Sequence, residues 1–165
     1  MRRSAISPYS QTPNRVEPWW AALTVWAIVN AACLLQAVGF LSRIATGTRD
    51  INHILGIAIL ALALPAAAAL VAFVRSSAGW VHMAGPASFM AFCLFGLAVE
   101  YVWPVEFRDP MQPAVLVPYL VLFFGSIVLM GAPMYRMDRR LWLLTAVSAT
   151  ILIVSMLAAM LAGVG

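Results

Sequence analysis

Five uninterrupted apolar runs, each of about 18–24 residues, dominate this 165-residue chain. They are Trp19–Leu41, Ile51–Val74, a third from Trp80 or Pro86 to Trp103, Pro113–Met134 and Leu141–Gly163. At about 1.5 Å of rise per residue, each makes roughly 27–36 Å of α-helix, which matches a hydrocarbon layer about 30 Å thick. A helix satisfies its own backbone hydrogen bonds where lipid offers no partners. The alternating ten-residue pattern of a membrane barrel is absent. The expected fold is therefore all-α, a polytopic membrane bundle of five transmembrane helices.

Composition removes the competing classes. Hydrophobic residues make up 64% and charged residues 10%, against about 45–50% and about 25% in soluble domains. An ordinary water-soluble globule, a disordered chain and a disulfide scaffold are all excluded. The net charge of +4 does not point to nucleic acid. All ten basic residues are arginines, and they sit between apolar runs instead of forming a stripe. The two cysteines, Cys33 and Cys93, lie inside apolar runs and read as small buried hydrophobes.

Residues 1–18 form a polar tail with three arginines and three prolines, expected to be extended and weakly ordered. Residues 19–165 form a single transmembrane domain. The run that follows the tail is longer than the roughly 7–15 residues of a signal-peptide core, so it is expected to be a retained first span.

Arginine positions predict the orientation. Arg2, Arg3, Arg15, Arg75, Arg136, Arg139 and Arg140 fall on one side, and Arg43, Arg49 and Arg108 on the other. The positive-inside rule places the N-terminus in the cytoplasm and the C-terminus outside, in a multi-pass protein of the cell membrane. Trp19, Trp20, Trp80 and Trp142 then mark the inner interface and Trp103 the outer one, as aromatic belts require.

Small residues and prolines shape the expected packing. Ser155, Ala159 and Gly163 form a small-xxx-small ridge on the fifth span, which suits either a second copy or packing within the bundle. Pro65 lies mid-span and predicts a kink.

Polar residues inside apolar runs are costly and therefore informative. Glu100 lies near the outer end of the third span and shares a helix face with Phe89, Cys93 and Gly96. Gln36 on the first span, His53 opening the second and Tyr119 on the fourth fall at similar depth. These four residues are the candidate polar pocket. Its readings are an ion pair that locks the helices, with His53 or a loop arginine opposite Glu100, a site for an amphipathic ligand or a proton, and an interface with another subunit. Asn30, mid-span, predicts an interhelical hydrogen bond. His53 and His82 fall at opposite ends of the bundle, which argues against a bis-histidine haem or a two-histidine metal site.

No nucleotide-binding loop, HExxH pair or GxSxG elbow is present. No metal or bound cofactor is expected, although a quinone or lipid suits the polar layer. The missing motifs weigh against an enzyme. The first functional expectation is a non-catalytic subunit or scaffold of a larger membrane complex. The alternative is a small transporter or a lipid- or quinone-binding protein using the layer around Glu100. A second alternative is a membrane enzyme acting on a lipid-soluble substrate. Expected partners are the lipid bilayer and another membrane protein or a second copy, with no nucleic acid.

Overall fold

A computed structural model describes residues 18–47, 50–105 and 112–163. Arg2, Arg3, Arg15, Arg49 and Arg108 of the orientation count lie outside them. So do residues 1–17 of the expected tail and residues 106–111 of the third connection.

The described chain is all-helical, and it holds five spans long and apolar enough to cross a membrane. The first is α1 (Trp19–Thr46). The second is broken into α2 (Asp50–Ala61) and α3 (Ala63–Arg75). The third is α4 (Trp80–Leu97), continued by a π-helical turn at Ala98–Val102. The fourth is α5 (Pro113–Gly131), followed by the short α6 (Met134–Met137). The fifth is α7 (Arg139–Leu161). Successive spans alternate in direction. One end of the bundle therefore holds the C-terminal end of α1, the start of α2, the π-turn and the start of α5. The other end holds Arg75, Trp80 and Arg139.

Two sequence boundaries change, and the third span takes the earlier of its two expected starts. Helix α1 runs beyond Leu41 to Thr46, so Arg43 belongs to the helix and not to a loop. Three polar residues near its end, Ser42, Arg43 and Thr46, do not stop a helix whose carbonyl ladder stays intact. Ser42 and Thr46 donate their hydroxyls to the Gly39 and Ser42 carbonyls at 2.9 and 2.8 Å. The stop is Gly47, which takes the left-handed conformation (φ 67°) and donates its N–H to the Arg43 carbonyl at 2.9 Å. The third span starts at Trp80, with Pro86 tolerated inside it. The fifth starts at Arg139, two residues before Leu141, because Asp138 caps it by accepting from the Arg140 N–H at 2.7 Å.

The break in the second span has the cause expected of it. Pro65 has no N–H for the Ala61 carbonyl, and its ring crowds that carbonyl. The ladder yields at Leu62, which bonds to Ile59 in a tighter turn at 3.0 Å. The Cys93 thiol, reaching over from α4, lies 4.0 Å from the same Ile59 carbonyl. Both cysteines are buried and unbridged.

Helix α1 is the hub, flanked by α7, α3 and α2, and α4 lies between α3 and α5. The tightest approach is between α4 and α5. A Cβ on Gly85 would stand 2.9 Å from the Met130 amide nitrogen, so only glycine lets these backbones meet. Such close contact is how helices associate where the hydrophobic effect gives no preference. On α7 the buried residues are Thr145, Ser148, Leu152, Ser155 and Ala159, a stripe with alternating steps of three and four. The Ser155–Ala159 part of the small-residue ridge is thus buried within this single chain, whereas Gly163 is exposed beyond the helix end. The surface along the spans is largely apolar, with Ile54, Leu64, Val71, Leu94, Val121, Val128 and Val154 all exposed.

One polar clasp ties α1 to α7. Asn30 donates its amide to the Trp26 carbonyl (2.7 Å) and to the Thr145 hydroxyl (3.1 Å), and accepts from the Ser148 hydroxyl (2.6 Å). The Trp26 indole N–H donates to the Leu141 carbonyl at 3.0 Å. Interhelical bonds of this kind contribute about 0.6 kcal/mol each on average in membrane proteins. Asn30→Ala should therefore lower stability by about 1–2 kcal/mol, since it removes two such bonds. Ser148→Ala should cost less than Asn30→Ala, because Asn30 keeps its bond to Thr145. Denaturant titration of the protein in detergent checks both.

Candidate functional site

At the end of the bundle that holds the π-turn, the helices part around a cavity of about 270 Å³. Its walls come from α1, α2, α4 with the π-turn, and α5. Gln36, His53, Glu100 and Tyr119, the four residues singled out by depth, all line it. Sequence reasoning could place them in one layer, but only packing turns their side chains to one space.

The π-turn is the local feature that builds the site. Over Ala98–Val102 the ladder widens, and the Trp103 N–H reaches the Ala98 carbonyl, five residues back, at 2.8 Å. The extra residue in the turn brings both Glu100 and Tyr101 to the cavity. Such turns are concentrated at functional sites because they trade ladder regularity for side-chain placement.

Tyr101 then crosses to α2. Its hydroxyl donates to the His53 carbonyl at 3.0 Å, and its ring lies 4.8 Å from the His53 imidazole. It passes directly over Gly56, where a Cβ would stand 2.5 Å from the phenol oxygen and 3.9 Å from a Glu100 carboxylate oxygen. A side chain at position 56 would thus displace the Tyr101 hydroxyl where the π-turn meets α2.

Arg43 enters from α1. It is 8% exposed, although it is charged and sits near a helix end. With its carboxamide turned to satisfy its neighbours, Asn52 donates to the Gly39 carbonyl at 3.0 Å. In that orientation its oxygen accepts from the Arg43 guanidinium, through Nη2 at 2.6 Å and also through Nε. The guanidinium carbon also lies 5.7 Å from the centre of the Phe40 ring. Arg43, Asn52 and Tyr101 line the cavity in addition to the four candidates. A signal for Arg43 was present, because Gln36, Gly39 and Arg43 stand at i, i+3 and i+7 and so share a helix face.

Deeper in the bundle the lining becomes more apolar. Ile59 and Leu60 on α2 and Phe92 on α4 lie towards its centre. Phe92 packs edge-on to Tyr119 at 5.2 Å and against Phe123 at 5.0 Å, which makes an aromatic floor. From Gln36 to Arg43, or from His53 to Ile59, the helix rise covers roughly 10 Å. The lining is therefore most polar at the bundle end, and further in Gln36 and Tyr119 are the polar groups among Ile59, Leu60 and Phe92.

His82 sits at the far end of the molecule, where its ring lies 5.7 Å from Phe73. Among the described residues no group of three or more His, Cys, Asp or Glu side chains is placed to hold a metal ion.

No family model, curated protein or solved structure matches this chain. The site therefore has to be read from its own geometry.

The Tyr101–Gly56 crossing makes a two-residue prediction. Gly56→Ala should be destabilising, because its methyl group collides with the phenol oxygen. Tyr101→Phe alone should cost about 0.5–1.5 kcal/mol through the lost hydrogen bond. In the Tyr101→Phe background Gly56→Ala should be close to neutral, since the nearest remaining ring atom, Cζ, is 3.7 Å away. Thermal unfolding of the four combinations gives this coupling directly.

Proposed function

We propose that this chain is a multi-pass protein of the cell membrane that holds a small amphipathic molecule in its end cavity. The observation that carries the reading is the polarity gradient of that cavity. Arg43, Asn52, His53, Glu100 and Tyr101 line its end, and Ile59, Leu60 and Phe92 line its depth together with Gln36 and Tyr119. A molecule with a polar head and an apolar chain is complementary to this gradient. Ligand sites in proteins share the pattern of a mostly apolar concavity with a few placed polar groups.

A purely structural ion pair is the competing account of Glu100. It explains a charge at depth. It does not explain the open space beside Gly96, where a Cβ would meet Tyr119 only at an ordinary 3.8 Å. A scaffolding or subunit role rests on missing catalytic motifs and has no comparable feature to support it.

In this reading the seven arginines on one side face the cytoplasm, which places the N-terminus inside and the C-terminus outside. The cavity then opens near the outer leaflet, and its head-binding residues lie at headgroup depth. Reporter fusions at the two termini should report opposite compartments, with the N-terminal reporter cytoplasmic. The same compartment for both would defeat the five-span topology.

The ligand reading is tested by mild extraction from native membranes and native mass spectrometry. The wild-type chain should carry one small lipophilic adduct, and Gly96→Leu, which fills the cavity, should lose it. A chain that never carries an adduct but always carries a stoichiometric protein companion would replace this reading with the subunit one.

A further inference from the structure

One polar group of the lining stands apart from the others. Arg43, Asn52, Glu100, Tyr101 and Tyr119 all have partners within the chain. His53 is exposed at the mouth, with its ring against Tyr101. Gln36 is half-buried and lines the same space. Among the described residues no group forms a hydrogen bond with its carboxamide.

Its position explains this. Leu34, Val38 and Leu41 are exposed on the outer face of α1, so Gln36 turns inward. Helices α1 and α2 meet at Gly39, where a Cβ would stand 2.8 Å from the Asn52 carboxamide oxygen and 3.5 Å from Leu55 Cδ1. Gln36 lies about one turn, or roughly 4.5 Å, further into the bundle. One turn beyond Leu55 on the antiparallel α2 stands Ile59. Its carbonyl already accepts from the Leu62 N–H and is approached by the Cys93 thiol. Leu60 and Phe92 line the same depth with hydrocarbon. A polar group withdrawn from water needs a partner, and here the fold supplies none for either end of the carboxamide.

That need defines a head by its hydrogen bonding alone. A primary carboxamide offers a donor and an acceptor side by side. An ionised carboxylate only accepts and an ammonium only donates. An ether, ester or ketone likewise only accepts. Each of these leaves half of Gln36 unmet. A hydroxyl is the smallest neutral group that both donates and accepts, and it carries no charge into the apolar depth. We propose that Gln36 recognises the free hydroxyl of a neutral lipid alcohol, whose apolar chain lies against Ile59, Leu60 and Phe92. The proposal rests on the reading of the cavity as an amphipath site, and it makes Gln36 the residue that sets head-group specificity there.

The test uses the full chain in phosphatidylcholine nanodiscs and two matched pairs of probes, read by native mass spectrometry. One pair is hexadecanol and its methyl ether, and the other is dioleoylglycerol and its methyl ether. In at least one pair the alcohol should bind saturably, one per chain, and about tenfold more tightly than its ether, the scale of one hydrogen bond left unmade. The pair that does so tells a single-chain alcohol from a glyceride. Gln36→Met keeps the length of the side chain and loses both hydrogen-bonding atoms. It should bind alcohol and ether alike. Without probe, its thermal unfolding temperature should be no lower than that of wild type, since the fold loses no bond.

A preference for the alcohol that survives in Gln36→Met overturns the proposal. So does a Gln36→Met chain that unfolds earlier or fails to fold, because Gln36 then has a structural role. If alcohol and ether bind wild type equally and both are lost from Gly96→Leu, the Gln36 assignment fails while the amphipath site stands. If no probe binds, hydroxyl recognition fails, and the native adduct decides the cavity reading separately.

Discussion

Backbone hydrogen bonding without water is the constraint on which the rest of this structure depends. A chain whose long apolar runs enter hydrocarbon must pair each N–H and C=O internally, and helices do this segment by segment. That requirement accounts for five helical spans and for the rarity of irregular backbone inside them. It also makes each departure from the α-ladder informative, because the departure costs something that must be recovered locally.

The two main departures within the spans flank the same cavity. At Leu62 the ladder breaks because Pro65 cannot donate. The buried carbonyl of Ile59 accepts from the Leu62 N–H and is approached by the Cys93 thiol. At Ala98–Val102 the ladder widens to a π-turn, and the recovered interactions are those of Tyr101 with His53. Between these points α2 stands away from α4, and the space left is lined by glycines and polar side chains. A regular pair of helices packed at small-residue contacts, as α4 and α5 are at Gly85, leaves no such space. The cavity is thus a consequence of two local backbone irregularities on neighbouring spans.

The polar residues divide into two groups with different roles. Asn30, Thr145 and Ser148 hydrogen-bond one another and the Trp26 indole donates to the Leu141 carbonyl, so these groups clasp α1 to α7. Gln36, Arg43, Asn52, His53, Glu100, Tyr101 and Tyr119 surround space instead. Both groups look alike in sequence, as isolated polar residues in apolar runs. Their difference lies in whether neighbouring helices close over them.

Read from the residues alone, the chain already determined its class, its five spans, the kink at Pro65 and the shared depth of Gln36, His53, Glu100 and Tyr119. These follow from length, hydropathy and helical rise, which are properties of each segment by itself. Tertiary structure decided the rest. Arg43 became a buried wall residue because α1 continues past the apolar run and Asn52 of the next helix receives its guanidinium. Glu100 and Tyr101 came to one cavity because the helix widens where it meets Gly56. Sequence periodicity assumes a regular helix and knows nothing of its neighbours. The site exists where the helix is irregular and where side chains of four separate elements meet, so only the packed bundle could reveal it.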